Sequence, residues 1–235
     1  MPTADVSELE IWRAVEAQHR ASTMVLVETL DEQYLLEQIL DASKPAVPEE
    51  CARLHWLLFT PFRYPPLPSG SRFRGPDEPG VFYGADEART ACAELGYWRW
   101  RFLLDSELEG LDPLQQTLFR VGVAGRAIDL RLPPHLERRA HWTDPLDYSH
   151  CQALARKARN DGVAIIRYES VRDPQRGGCA AVLQPSAFTG NAPIETQPWN
   201  LTVTRERVIW RRDSAFEQGA WEFPAGGWAH PGFAK

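Results

Sequence analysis

Residues 80–104 read GVFYGADEARTACAELGYWRWRFLL, and residues 163–183 read VAIIRYESVRDPQRGGCAAVL. The first stretch opens on a short apolar run, Val81-Phe82-Tyr83, of strand type. Asp86 then stands where a helix N-cap belongs. Ala88, Ala91, Leu95, Trp98 and Phe102 recur on one helical face, which predicts a helix to about residue 104. In the second stretch, Val163-Ala164-Ile165-Ile166 has the look of a buried strand. A polar loop over 169–178 ends in Gly177-Gly178, and the chain returns as a strand from Cys179 to Leu183. Strands and helices thus alternate without a regular βαβ repeat, which favours an α+β domain over a doubly wound sheet.

The flanks fit the same description. A strand is expected over 11–16. Thr29 and Glu32 stand in capping-box spacing before a helix carrying Tyr34, Leu35 and Ile39, and Lys44-Pro45 ends it. A second helical stretch is expected over 50–58. Residues 61–80 hold six Pro and three Gly, so they form neither a regular helix nor a central strand. They also hold three Arg and three aromatics, consistent with a rigid loop that presents Arg over a pocket or with a plain Pro-rich surface loop. Two strands broken at Gly125 are expected over 121–123 and 127–132. A helix should start at Asp147, run through Cys151, Leu154 and Ala158, and stop at Asn160-Asp161-Gly162. Residues 201–210 suggest a hairpin turning near Arg205-Glu206. With no repeat and no linker, one domain over 1–235 is expected, with its core over about 12–212 and a loosely packed tail over 213–235.

Composition narrows the function. Of 235 residues, 43% are hydrophobic and 25% charged, an ordinary globular balance. The net charge of −6 argues against a direct nucleic-acid binder, which needs an excess of Lys and Arg. Cys51, Cys92, Cys151 and Cys179 are too far apart for a zinc knuckle. His135, His141 and His150 lack the spacing of metal ligands on a helix. No phosphate-binding GxxxxGK[ST], GxGxxG, HExxH or GxSxG is present. No basic n-region, apolar h-region or bilayer-length apolar run appears, so a cytoplasmic protein with no membrane partner is expected.

What remains is a constellation of Arg63-Tyr64, Arg72 within Gly70-Ser71-Arg72-Phe73-Arg74, Tyr83, Glu94, and Ser170 and Arg172 within RYESVRDP. Glu94 lies at the edge of an apolar stripe, where partial desolvation raises a carboxylate pKa. On the residues alone, an ion pair with Arg101 or a solvated helix flank are open alternatives for it.

The order and wording of GVFYGADEARTACAE and RYESVRDP resemble the RES domain, over roughly residues 12–210. One departure is Ser71-Arg72-Phe73-Arg74, where many short members have Gly-Arg-Trp-Asn. The resemblance implies an ADP-ribosyltransferase-like fold, a split curved β-sheet core flanked by helices. It implies a toxin of a toxin–antitoxin module with an Xre-type antitoxin partner, assembled as a homo-oligomer or as a hetero-oligomer with that antitoxin. The implied activity is cleavage of the nicotinamide–ribose bond of NAD with water or phosphate as acceptor and no metal. A mono-ADP-ribosyltransferase acting on a protein target and a non-catalytic partner-binding module are the alternatives.

In that setting Glu94, Arg72 and Ser170 are the catalytic candidates. Glu94 would stabilise positive charge on the ribose and orient the nucleophile. Arg63 and Arg72 would grip the two phosphates, and Tyr83 would offer the nicotinamide ring a flat partner. Ser170 would hydrogen-bond the substrate, with Tyr64 and Arg172 as further binding candidates. Arg74 either supplements Arg72 or does not.

Overall fold

The computed structural model describes residues 5–17 and 26–228. Strand β1 (Asp5–Glu16) is followed by α1 (Leu30–Ser43), α2 (Trp56–Arg63), β2 (Phe82–Ala85) and α3 (Ala88–Leu104). The long β3 (Gly110–Asp129) leads to a one-turn helix, α4 (Arg139–Trp142), and to α5 (Ser149–Asn160). The remainder is β4 (Ile165–Glu169), β5 (Gly178–Val182), β6 (Glu195–Thr204), β7 (Arg207–Arg212) and β8 (Ala220–Pro224).

The eight strands form one mixed sheet in the order β1-β2-β5-β4-β3-β6-β7-β8, and β1 also pairs with β3. Five strands therefore curl until the sheet meets itself, and β6, β7 and β8 continue from the first half of β3. Only β3 and β4 run parallel. β1 pairs along β3 from Asp5↔Ala127 to Glu16↔Gln116 but meets β2 only at Trp12↔Ala85. The two strands splay on either side of that pair, and α3 lies over the gap. The result is a large curved mixed sheet flanked by helices.

The core is built from side chains on both faces of the curled strands. One cluster joins Tyr97, Trp100 and Leu103 of α3 to Trp199, Leu201, Trp210 and Phe223 of the outer strands. A second fills the curl with Ile11, Phe82, Phe119, Val123 and Ile165, sealed by Leu57 and Leu58 of α2. Each such side chain contributes about 1.5–3 kcal/mol on leaving water.

Several sequence expectations hold. Thr29 caps α1 in a full capping box with Glu32, and Lys44 ends it. α5 stops before Gly162, whose φ of 69° needs a glycine. The 201–210 hairpin turns at Arg205-Glu206.

Others are corrected. The N-cap of α3 is Glu87, and Asp86 instead accepts hydrogen bonds from Arg131 and Arg167. The buried face of α3 runs through Tyr97, Trp100 and Leu103, leaving Trp98 and Phe102 half exposed. The helix of 50–58 is a 3-10 turn over Glu49–Cys51 followed by α2. Gly125, at φ 153°, lies within the single strand β3 and does not divide it.

The tail is also more ordered than expected. β8 pairs with β7, Phe223 is fully buried, and Trp228 is 2% exposed. Residues 229–235 lie outside the described part. All four cysteines are free and buried, and no helix among the described residues is long and apolar enough to cross a membrane.

Candidate active site

A cleft of about 670 Å³ opens where β1 and β2 splay beneath α3. Trp12, Tyr83, Trp98, Tyr148 and Tyr168 give it aromatic walls, and Arg13, Arg72, Arg172, Glu94 and Asp147 supply its charge.

Glu94 projects from the second turn of α3. Burial pushes its carboxyl pKa up, opposed by the Ser170 hydrogen bond and the charges of Arg72 and Arg172. Its partner is Ser170, whose hydroxyl donates to Glu94 Oε1. Neither expected alternative for Glu94 holds, because Arg101 pairs with Asp105 and the carboxylate is held by the serine.

The role expected for Ser170 changes. Its side chain is fully buried, and its Oγ accepts the backbone N–H of Arg172 (3.2 Å) and of Asp173 (2.9 Å). A hydroxyl has one proton to donate and two lone pairs. All are in use, so Ser170 has no capacity left for substrate or for nucleophilic attack. It fixes Glu94 from behind the cleft wall.

The loop carrying Ser170 is tied to α3 a second time. Asp173, 4% exposed, accepts from Thr90 Oγ1 at 2.7 Å and pairs with Arg89. Burial opposes its ionisation, but the Gln175 N–H, Thr90 and Arg89 together hold its carboxyl below the usual range. Gly177 explains why the loop ends as it does. A Cβ there would lie 2.1 Å from Thr90 Oγ1, so only glycine lets the Thr90–Asp173 bond pass.

Two cations flank Glu94. Arg72 Nη1 donates to the carbonyls of Trp142 (2.9 Å) and Asp144 (3.0 Å), and its guanidinium lies 4.6 Å over the Tyr148 ring. Arg172 stacks 3.7 Å from the Tyr97 ring centre and donates through Nη2 to Pro145 O at 2.7 Å. Its Nη1 is buried without a hydrogen-bond partner. A buried guanidinium donor left unpaired is costly, and an anionic ligand in the cleft would relieve it.

Tyr83 shapes the far wall. Its hydroxyl bonds to Ser71 Oγ (2.7 Å) and accepts the Phe73 N–H (2.9 Å), which pins the turn bearing Arg72. Burial raises its pKa to about 12, so it is a neutral hydrogen-bonding group.

Arg13 was not foreseen. It lines the cleft from β1, donates through Nη1 to Tyr83 O at 2.8 Å, and keeps a buried Nε without a partner. Burial lowers its pKa to about 10, which leaves it cationic at neutral pH. The available signal is an Arg interrupting the apolar run Ile11-Trp12 and Ala14-Val15.

Arg63 and Tyr64 are not brought into the cleft. They line a separate Pro-rich depression, where Arg63 Nε donates to Pro45 O and Tyr64 O accepts from Arg74 Nη2. Arg74 also donates to Glu78 O at 3.0 Å, so it braces the loop and does not supplement Arg72. The physical reason is Pro61 and the end of α2, which turn the chain away before it comes back at Gly70. Among the described residues, no group of three or more His, Cys, Asp or Glu could hold a metal ion.

No curated protein sequence matches the chain. Among solved structures, the fold is similar to a chain of the M. tuberculosis MbcT–MbcA toxin–antitoxin complex. The identity is 14% and the TM-score 0.48, over 85% of this chain and 86% of that one. A family model described as the RES domain matches residues 47–204, most of the sequence and the whole span from α2 to β6. The chain belongs to the RES-domain family.

Proposed function

We propose that this protein is an NAD-degrading enzyme that acts as the toxin of a toxin–antitoxin module. The observation that carries the reading is one half-buried carboxylate, Glu94, held by Ser170 and flanked by Arg72 and Arg172 in an aromatic-walled cleft. Cleaving the bond between nicotinamide and ribose builds positive charge on the sugar. A fixed, partly desolvated carboxylate stabilises that charge far better than water does. It can also orient an attacking hydroxyl by accepting its proton in a hydrogen bond.

Arg72, Arg172 and Arg13 would face the two phosphates, and Tyr83 would lie against the nicotinamide ring. With water as acceptor the products are nicotinamide, ADP-ribose and a proton. With phosphate, the new bond forms between phosphate oxygen and the ribose anomeric carbon. No step needs a metal.

Such an enzyme would harm the cell that makes it. An antitoxin of the Xre type that covers the cleft is the partner this reading requires, in a cytoplasmic complex. One observation keeps a second reading open. The cleft mouth is rimmed by Leu67, Trp98 and Leu146, which are 73%, 51% and 59% exposed. Exposed apolar side chains around a cleft can help to seat a protein, either the antitoxin or a protein that accepts ADP-ribose.

The deciding experiment incubates purified, antitoxin-free protein with NAD, with and without phosphate, beside Glu94→Gln. Nicotinamide released by the wild type alone supports the proposal, and phosphate dependence names the acceptor. No release from either protein, with label from NAD appearing on a lysate protein, would replace it with the transferase reading.

A further inference from the structure

The family model ends at residue 204, but a residue beyond it bonds to the loop that carries Ser170 and Arg172. β8 pairs with β7 and leads through a 3-10 turn, Ala225–Gly227, to Trp228. The Trp228 ring packs among Phe223, Tyr97 and Trp100, with ring centres 6.0, 5.8 and 5.8 Å away. Its indole Nε1, which can only donate, gives its hydrogen to the carbonyl oxygen of Arg172.

That carbonyl belongs to the peptide unit joining Arg172 to Asp173. The N–H of the same unit donates to Ser170 Oγ at 2.9 Å. A trans peptide is planar, with its C=O and N–H on opposite sides. Trp228 and Ser170 therefore hold one plane by its two ends. The link is doubled through Tyr97, whose ring carries the Arg172 guanidinium and touches Trp228 edge-on. Trp228 does not itself line the cleft.

We propose that Trp228 is a positioning residue for the carboxylate. By fixing the Arg172–Asp173 peptide plane, it keeps the Ser170 hydroxyl aimed at Glu94 and the Arg172 guanidinium beside it. This rests on the reading of the cleft as the NAD-cleaving site. Rotation of the plane would withdraw the Asp173 N–H from Ser170 and loosen both contacts that favour ionised Glu94.

The test pairs Trp228→Phe with Trp100→Phe. Trp100 lies in the same aromatic cluster and donates its indole N–H to Arg205 O at 3.0 Å, away from the loop. Both variants lose one indole–carbonyl bond, so both should melt a few degrees lower. In Trp228→Phe alone, kcat/KM for nicotinamide release should fall about tenfold or more, and the acid limb of its pH profile should move to higher pH. The amides of residues 170–177 should also exchange hydrogen faster.

An unchanged acid limb with unchanged exchange, or the same changes in Trp100→Phe, would overturn the proposal. The exchange measurement needs no substrate, so a wild type that releases no nicotinamide would refute the NAD reading while the clamp is still judged. If Trp228→Phe does not fold, the Trp228 indole N–H resonance in wild type and Ser170→Ala decides. It should move if the coupling runs through the peptide plane, and a resonance that stays put would refute it.

Discussion

The cleft and the Pro-rich depression have much the same parts. Each has arginines, tyrosine and a glutamate within reach, and the sequence places Arg63, Tyr64, Arg72 and Arg74 within a dozen residues of one another. They differ in how their carboxylates are held. In the depression, Arg63 and Arg74 donate to main-chain carbonyls, and Glu78 accepts the Gly75 N–H and pairs with Arg156. In the cleft, Glu94 is raised by burial, and Arg172 Nη1 and Arg13 Nε lack partners. Arginine-rich surroundings do not distinguish a site from a brace. Nor does a buried guanidinium nitrogen without a partner, since Arg159 Nε is one in the depression; a carboxylate whose pKa burial raises does.

Four substitutions probe that contrast. Glu94→Gln should reduce nicotinamide release by about 10²–10⁴-fold, the range for losing a positioned acid–base or electrostatic group. It should also change how stability depends on pH. Glu94 binds its proton more tightly when folded, so wild-type stability should fall as pH rises from about 4.5 through the raised folded pKa. Glu94→Gln should lack that fall in thermal melts across the same window. If both proteins decline alike, the Glu94 carboxylate is not the strained element.

Arg172→Ala should lower kcat/KM by about a hundredfold, in the range for losing a charge-assisted contact of roughly 1.5–3 kcal/mol. Steady-state kinetics against NAD would check it. Ser170→Ala should cost about tenfold in activity and about 1–3 kcal/mol in stability, since two buried N–H groups lose their acceptor. Because the Ser170 bond lowers the Glu94 pKa, its loss should move the acid limb of the pH–rate profile upward. An acid limb that moves downward would mean that another group sets it. Arg63→Ala should change activity by less than about twofold. A large loss there would return the depression to the site and remove the distinction drawn between the two regions.

What the sequence showed and hid divides along the same line. Features fixed by neighbours in the chain were legible, such as the Thr29 capping box, the stop at Gly162 and the turn at Arg205-Glu206. Arg72, Tyr83, Glu94, Ser170 and Arg172 each sit in a distinctive local string, and the fold brings them together. Features fixed by distant partners were not legible. β3 pairs with β6 in its first half and β4 in its last residues, so no single alternation runs through it, and Gly125 looked like a break. α3 is covered by β7 and β8 as well as the inner strands, which turned the buried face toward Tyr97 and Trp100. The saturation of the Ser170 hydroxyl depends on Glu94 from α3 and on how the 170–173 turn aims its N–H groups, which no local string fixes. Arg63 followed from closeness in sequence to Arg72, which the fold does not preserve.

The order in which the site's parts are made has its own consequence. Glu94 is translated first, Ser170 comes 76 residues later, and Trp228 a further 56 after Arg172. Domains tend to fold as units while they emerge from the ribosome. A nascent chain that already carries the carboxylate has neither the hydroxyl that holds it nor the indole that steadies the loop. If the protein is the toxin proposed above, synthesis leaves an interval in which the cleft is unfinished, and an antitoxin made beside it would meet the chain before the site is complete.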